Sequence, residues 1–211
     1  MGGRRPKAVE RAVPIALLAL AVGLRVALAA GIPPVAPSAD ERQQLARGEV
    51  VYRVGAPPRD GATVPGARGG VAFVRVPTGP EPVWSILIQP RRYPEIFSGL
   101  RSVEVLEQSE TTWLLKTEGK FGPFDFHYHT RYALQPDRHS MTWRLDPTRN
   151  NDVFDDNWGW WQLVPEEGGT LVIYAMGSVP SSWQPLAGYF ERRGILQALA
   201  ALRDAAVRRG G

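Results

Sequence analysis

The sequence predicts an α+β domain in which one antiparallel sheet curls around a long C-terminal helix. Three observations lead there. Beyond Gly70, seven runs of strand composition follow one another, separated by turn signals. Two short helical segments stand between the first run and the second. The chain then closes on a helix with one apolar face, which must pack on something large.

The first 31 residues read in three parts: a basic stretch with Arg4, Arg5, Lys7 and Arg11, an apolar run from Ile15 to Leu24, and the end Arg25-Val-Ala-Leu-Ala-Ala-Gly31. That order is the order of a secretory signal. Ala27 and Ala29 supply the small side chains a signal peptidase accepts, which places cleavage after Ala29 or Ala30. The alternative is an uncleaved membrane anchor from Val13 to Gly31, roughly 28 Å long as a helix against a ~30 Å hydrocarbon core. Arg25 opposes the anchor, because it would sit inside the bilayer at a cost of up to ~3 kcal/mol. A twin-arginine signal is disfavoured by Pro6 and Lys7 after the arginine pair.

The formal charge of +4 and pI of 9.7 suggest nucleic acid until the charge is located. Residues 1 to 29 hold five of the 25 basic side chains and one of the 21 acidic ones, Glu10. The rest therefore carries 20 of each, and no net field remains to attract phosphate. Nucleic acid is excluded as a partner. Without cysteine there are no disulfides, no thiolate chemistry, no zinc-cysteine site and no lipoprotein anchor. The mature protein must be held by its core alone, for which about 180 residues suffice.

From Ile32 to Gly70 the chain is rich in Pro, Gly, Ala and Arg, as linkers are; residues 32–69 are expected to be a linker. Within it, Ser38-Ala-Asp-Glu41 resembles a capping box opening a short helix through Leu45, and Glu49 to Val54 has strand composition. That run is either an edge strand or part of a stalk. The domain proper spans 70–211. It begins with a strand from Gly70 to Val76, followed by a helix opened by Gly79-Pro-Glu-Pro and carrying Val83, Trp84, Ile86, Leu87 and Ile88. A second short helix follows around Tyr93 to Phe97. Strands are then expected at Ser102 to Leu106, Thr111 to Thr117, Phe124 to Leu134, Ser140 to Leu145, Asn157 to Val164 and Thr170 to Val179. The last helix runs from about Pro185 to Arg208, capped by Ser181 or Ser182. Ile195, Leu196, Leu199, Leu202 and Ala206 share one face, opposite Arg193, Gln197, Asp204 and Arg208, and Gly194 marks a candidate bend.

Particular segments carry a family resemblance. Val83-Trp-Ser-Ile-Leu87 resembles the first helix of the START-like superfamily, and Arg92-Tyr-Pro-Glu95 its tyrosine-proline turn. Ser102-Val-Glu-Val-Leu106, Ser140-Met-Thr-Trp-Arg-Leu145, Gly159-Trp-Trp-Gln-Leu-Val-Pro165 and Leu196-Gln-Ala-Leu-Ala-Ala-Leu-Arg203 match later elements in order and spacing. The resemblance covers about residues 70 to 209. It implies a helix-grip fold, shared with polyketide cyclases and dehydrases, lipid-transfer domains and coenzyme Q-binding proteins, and a cavity between sheet and helix. Gln89 and Pro90 depart from the family, where an acidic and an aromatic residue are frequent.

Side-chain alternation along strands separates the two faces. Arg131 and Arg144 prefer solvent, which turns Phe126, Tyr128 and Tyr132 inward on one strand and Met141, Trp143 and Leu145 on the next. Trp161 and Leu163, then Val172, Tyr174 and Met176, follow by the same parity, with Trp113 and Leu115 as companions. The candidate ligand-binding set is Trp113, Phe126, Tyr128, Tyr132, Met141, Trp143, Trp161, Tyr174 and Met176 from the sheet, with Leu196 and Leu199 from the helix. Read from residues alone, an aromatic stripe is packing, and a filled core is the alternative to a cavity.

The run Asp125-x-His127-x-His129 resembles a row of metal ligands, but the parity that turns Tyr128 inward turns these three outward onto a solvated strand face. His139 is a turn residue. Asn150, Asn151, Asp152, Asp155 and Asp156 lack the glycine and terminal glutamate of a calcium loop and suit a polar turn. No serine-nucleophile elbow, phosphate loop, dinucleotide fingerprint or zinc-protease helix is present, so no catalytic residue, metal or cofactor is assigned. Trp158, Trp160, Trp183, Leu171 and Ile173 fall on the outer face as an apolar patch, either covered by the segment 48–55 or open to membrane or a partner protein.

The sequence thus predicts an exported or membrane-tethered, periplasmic carrier of an apolar small molecule such as a lipid, a quinone or a polyketide-like compound. A cyclase- or dehydrase-type enzyme using the same cavity, and a protein-interaction domain with a filled core, are the alternatives.

Overall fold

The computed structural model describes residues 32–121, 124–181 and 187–210, with side chains left aside at 121, 124 and 187–191. The expected leader, Trp183, and the entry to the last helix at 182–186 lie outside the described residues. Ser38 accepts from the amide of Glu41, and the Glu41 carboxylate accepts from the amide of Ser38 at 2.6 Å, closing the expected capping box of helix α1 (Ala39–Ala46). Strand β1 (Val51–Val54) pairs antiparallel with β2 (Arg68–Val76). The segment 48–55 is therefore an edge strand and not a stalk, and 32–69 contributes to the fold instead of merely leading into it.

Helix α2 (Pro80–Leu87) begins with proline in its first turn, where a missing amide costs nothing. It buries Val83, Trp84, Ile86 and Leu87, while Ile88 ends it half exposed. The second short helix is a 3-10 turn over Pro90–Glu95, earlier than the sequence suggested because Pro90 suits its first position. Its Tyr93 hydroxyl donates to the carbonyl of Leu87 at 2.6 Å, meeting an acceptor left over at the end of α2.

A meander follows: β3 (Leu100–Gln108), β4 (Thr112–Phe121), β5 (Phe124–Gln135), β6 (Ser140–Leu145), β7 (Phe154–Glu166) and β8 (Gly169–Pro180). All neighbours are antiparallel, in the order β1-β2-β8-β7-β6-β5-β4-β3. Helix α3 (Ala187–Gly210) packs on β2 and α2 inside the curve of the sheet, which is the helix-grip arrangement. Ile195, Leu199, Leu202, Ala205 and Ala206 are buried, and Arg193, Gln197, Asp204 and Arg208 are exposed. The helix runs through Gly194 without interruption. Among the described residues no helix is long and apolar enough to cross a membrane.

Both faces of the sheet carry apolar clusters. The inner one joins α2 and α3 to Trp113, Leu115, Met141, Trp143, Trp161, Leu163 and Val172, with Tyr132, Tyr174 and Met176 against it, so the predicted parity holds. The outer one gathers Phe73, Trp160, Leu171 and Ile173 under Leu45 of α1 and the chain around Ile32 and Val35. Trp158, also buried, donates its indole N–H to the carbonyl of Pro57 at 3.1 Å, with the Arg59 guanidinium above its ring. The outer patch is covered: Leu45 of α1, Val51 of β1 and the chain around Ile32 and Val35 pack on it, and Pro57 and Arg59 close over Trp158.

Leu202 is fully buried where α3 meets the sheet. Leu202→Ala should lower unfolding free energy by about 2–5 kcal/mol, read as a reduced urea midpoint at unchanged slope.

Candidate functional site

Between α3 and the inner faces of β5 to β8 lies a cavity of about 230 Å³. Its sheet wall is a row of rings. Tyr132 stands opposite Trp143, and Trp143 opposite Gly159, in the strand register. A Cβ at Gly159 would collide with the Trp143 ring and with the carbonyl of Ala175; the glycine is what lets the indole lie across β7. Tyr174 then stacks on Trp143 at 5.5 Å and 25°, and touches Trp161 at 4.4 Å between ring centres. The Trp143 indole N–H is spent on Asn157 Oδ1 at 2.8 Å, so this buried donor is satisfied inside the wall. The Tyr174 hydroxyl points to Met176 Sδ at 3.3 Å.

The remaining walls come from elsewhere in the chain. Tyr93, Phe97, Ser98 and Leu100 close one side from the segment between α2 and β3, while Gly194, Ile195, Ala198 and Leu199 close another from α3. Tyr128, Thr130, Phe154 and Asn157 line the end where β5 and the start of β7 converge. Tyr128 and Phe154 meet edge to face at 5.4 Å. None of these lining residues is charged. Burial holds the Tyr93 phenol well above its ordinary value, with Tyr128 nearby adding to the shift. Burial likewise raises Tyr128, and raises Tyr132 further, with Tyr93, Tyr128 and Tyr174 contributing. At neutral pH these three hydroxyls are protonated donors, and none is a base.

Seven of the expected ligand-binding residues meet at the cavity: Tyr128, Tyr132, Trp143, Trp161, Tyr174, Met176 and Leu199. Four stand away from it. Trp113 packs beside Tyr132 at 6.2 Å, and Met141 is fully enclosed in the core. Phe126 stacks on Tyr128 at 6.0 Å and lies over Gly119. Leu196 is half buried, one residue around α3 from the wall formed by Ile195 and Leu199. Thr130 and Asn157 were legible from the same parity, two residues from Tyr128 and four from Trp161. Their polarity kept them out of an apolar list. The 93–100 wall was expected only as a short helix around Tyr93 to Phe97, too short for its period to aim a face at the site.

The Asp125-x-His127-x-His129 run is only partly a solvated face: Asp125 is exposed, His127 half-buried and His129 buried. Loop 146–153 folds over it, and that loop supplies its hydrogen bonds. The amide of His127 donates to Asp152 and that of His129 to Asn151, while the His127 and His129 rings meet Asp152 Oδ2 at 2.5 Å and the Asn150 carbonyl at 3.0 Å. Asp125 instead pairs with Arg101. Asp155 and Asp156 belong to β7, and Asp156 pairs with Arg59. His139 takes the left-handed conformation expected of a turn and contacts Glu81 at 2.9 Å. Asp146 anchors the loop: 2 % exposed, it accepts from the Thr148 hydroxyl at 2.6 Å and amide at 3.0 Å, and faces Arg131 at 2.9 Å. Burial by itself would raise its pKa, but Thr148 and Arg131 outweigh it and hold the carboxyl below its ordinary value.

A family model described as polyketide cyclase / dehydrase and lipid transport matches residues 76–203. No curated protein matches the chain. Among solved structures, an aromatase/cyclase from Streptomyces sp. R1128 is similar at a TM-score of 0.59 and 18% identity, over 68% of this chain and 95% of that one. A STAR-related lipid transfer protein from Xanthomonas axonopodis is similar at 0.57 and 17%, over 74% and 98%. A START superfamily protein from Mycobacterium smegmatis is similar at 0.51 and 16%, over 66% and 94%. At such identities these likenesses establish the helix-grip fold.

Asp146→Asn should destabilise the protein by about 1–3 kcal/mol at pH 7, since it weakens buried charge-assisted bonds. The folded carboxyl ionises more readily than the unfolded one, so its contribution is complete above the unfolded value of 3.8 and fades as pH falls through the folded value. Denaturation curves of wild type and variant should therefore converge in acid. The buried tyrosines act at the other end of the scale. Absorbance titration should show Tyr93, Tyr128 and Tyr132 still protonated above ~10, and stability should fall as pH rises past that point, because the folded state keeps protons the unfolded chain releases.

Proposed function

Because the chain belongs to the polyketide cyclase / dehydrase and lipid transport family, we propose that it is an exported or membrane-tethered protein that binds and carries an apolar small molecule between its sheet and α3. The observation that carries this proposal is the cavity itself, walled by Trp143, Trp161, Tyr132, Tyr174 and Met176 with no charged side chain among the lining residues. An apolar ligand burying roughly 400 Å² there would gain up to ~10 kcal/mol before the costs of association, enough for binding without any catalytic group.

The family accommodates both hydrophobic ligand binding and cyclase or dehydrase chemistry. Carriage is favoured over turnover because burial raises the pKa values of Tyr93, Tyr128 and Tyr132, so that the described lining residues offer no side-chain proton acceptor of suitable strength. Export is supported by the basic, apolar and small-residue order of residues 1–31.

Native mass spectrometry of the full chain purified from its own membrane fraction tests the proposal. A bound apolar molecule, released by organic solvent and largely lost from Trp143→Ala, is the expected result. Protein that carries nothing and binds no apolar probe would sink it, and conversion of the released molecule by fresh protein would replace carriage with catalysis. N-terminal sequencing of the same material should begin at Ala30 or Gly31 if the leader is removed.

A further inference from the structure

We infer that Asn157 is a specificity-determining residue of the cavity: its amide N–H, with the Thr130 hydroxyl two strands away, makes an uncharged donor lining that accepts neutral one- or two-ring ligands bearing an oxygen acceptor and turns away carboxylates. The inference rests on the binding function proposed above and adds the chemistry of what is bound.

Asn157 is 3 % exposed, sits on the inner face of β7 and lines the cavity. Its Oδ1 accepts from Trp143 Nε1 at 2.8 Å. An indole N–H can only donate, so this bond fixes which end of the carboxamide is oxygen and leaves Nδ2 as the end not bound to Trp143. Among the described residues nothing accepts from Nδ2. Thr130, 1 % exposed, also lines the cavity, and its hydroxyl has no hydrogen-bond partner. Thr130 pairs with Leu145 on β6, one residue beyond the Arg144–Trp158 pair that joins β6 to β7. The two polar side chains therefore fall in one row across three strands, two strands apart with Leu145 of β6 between them.

A buried hydroxyl left unbonded, as at Thr130, is costly, and a ligand oxygen that meets it removes the cost; at Asn157 the ligand gains a donor already oriented by Trp143. A carbonyl, ester or amide oxygen suits either group. A carboxylate does not, because no cation among the lining residues would balance a charge taken out of water. Size narrows the class further. At about 230 Å³ the cavity lies between the ~150 Å³ that admits one benzene ring and the ~300 Å³ at the low end of drug-sized sites. The aromatic wall of Trp143, Tyr174 and Trp161 favours a flat molecule within that volume.

Three probes of one shape separate the terms: 2-acetylnaphthalene, 2-ethylnaphthalene and 2-naphthoate, titrated calorimetrically into the delipidated full chain. The acetyl probe should bind about tenfold more tightly than the ethyl probe, and 2-naphthoate at least about a hundredfold more weakly than the acetyl probe. Asn157→Leu should erase most of the acetyl preference, read as the ratio of acetyl to ethyl binding, because loss of the Trp143 partner alters the wall for both probes alike. Thr130→Val, which removes a hydroxyl without a partner and keeps the shape, should cost the acetyl probe about two- to fivefold and carries the test if Asn157→Leu does not fold. Equal binding of acetyl and ethyl probes, binding of 2-naphthoate as tight as the acetyl probe, or an acetyl preference that survives in the folded variants would each overturn the inference while leaving apolar binding intact. Failure of all three probes to bind would remove the binding function itself.

Discussion

The pairing of β2 with β8 is the constraint on which the rest of this molecule depends. Residues 68–76 lie antiparallel to residues 170–178 along the whole length of β2, about a hundred residues apart in sequence. This contact joins the first long strand to the end of the meander and so leaves β1 and β3 as the two edges. It also sets β2 beneath α3, whose buried stripe packs on it and on α2. Closing so long a loop is entropically expensive, and the apolar residues of β2, buried on both faces, are what offset it.

A strand buried on both sides needs cover on both. The inner cover is α3 with α2. The outer cover is the segment 32–60, which places Leu45 on the cluster of Phe73, Trp160, Leu171 and Ile173 and takes up the Trp158 indole N–H at Pro57. The linker-like composition of that segment is thus compatible with a structural task. Its Pro and Gly residues shape a non-repetitive path across a sheet face, with one capped helix turn pair and one edge strand as its regular parts.

Inside the sheet, polar and aromatic groups are arranged against each other. Glycine at 159 lets Trp143 lie flat, Asn157 holds the indole N–H, and the same bond orients the Asn157 amide. A wall residue and a donor residue are fixed by one hydrogen bond. The tyrosines, kept protonated by burial, add to a lining that is apolar in area and neutral in charge.

Periodicity in the sequence determined which side chains of the meander face inward, because alternation is a local property of extended backbone: Tyr132, Trp143, Trp161, Tyr174 and Met176 lie where parity put them. The stripe of α3, the capping box at Ser38 and the neutrality of the chain beyond residue 29 were local or compositional in the same way. Only tertiary structure decided which inward residues border empty space and which fill it. Trp113 and Met141 share the face of Trp143 yet pack in solid core, since the cavity beside Trp143 lies where the curved sheet and the helix part company. It also decided that the 93–100 segment would form a wall and that loop 146–153 would cover His127 and His129. Both are contacts of stretches that are irregular or too short to present a face, and nothing local specifies where such stretches come to rest.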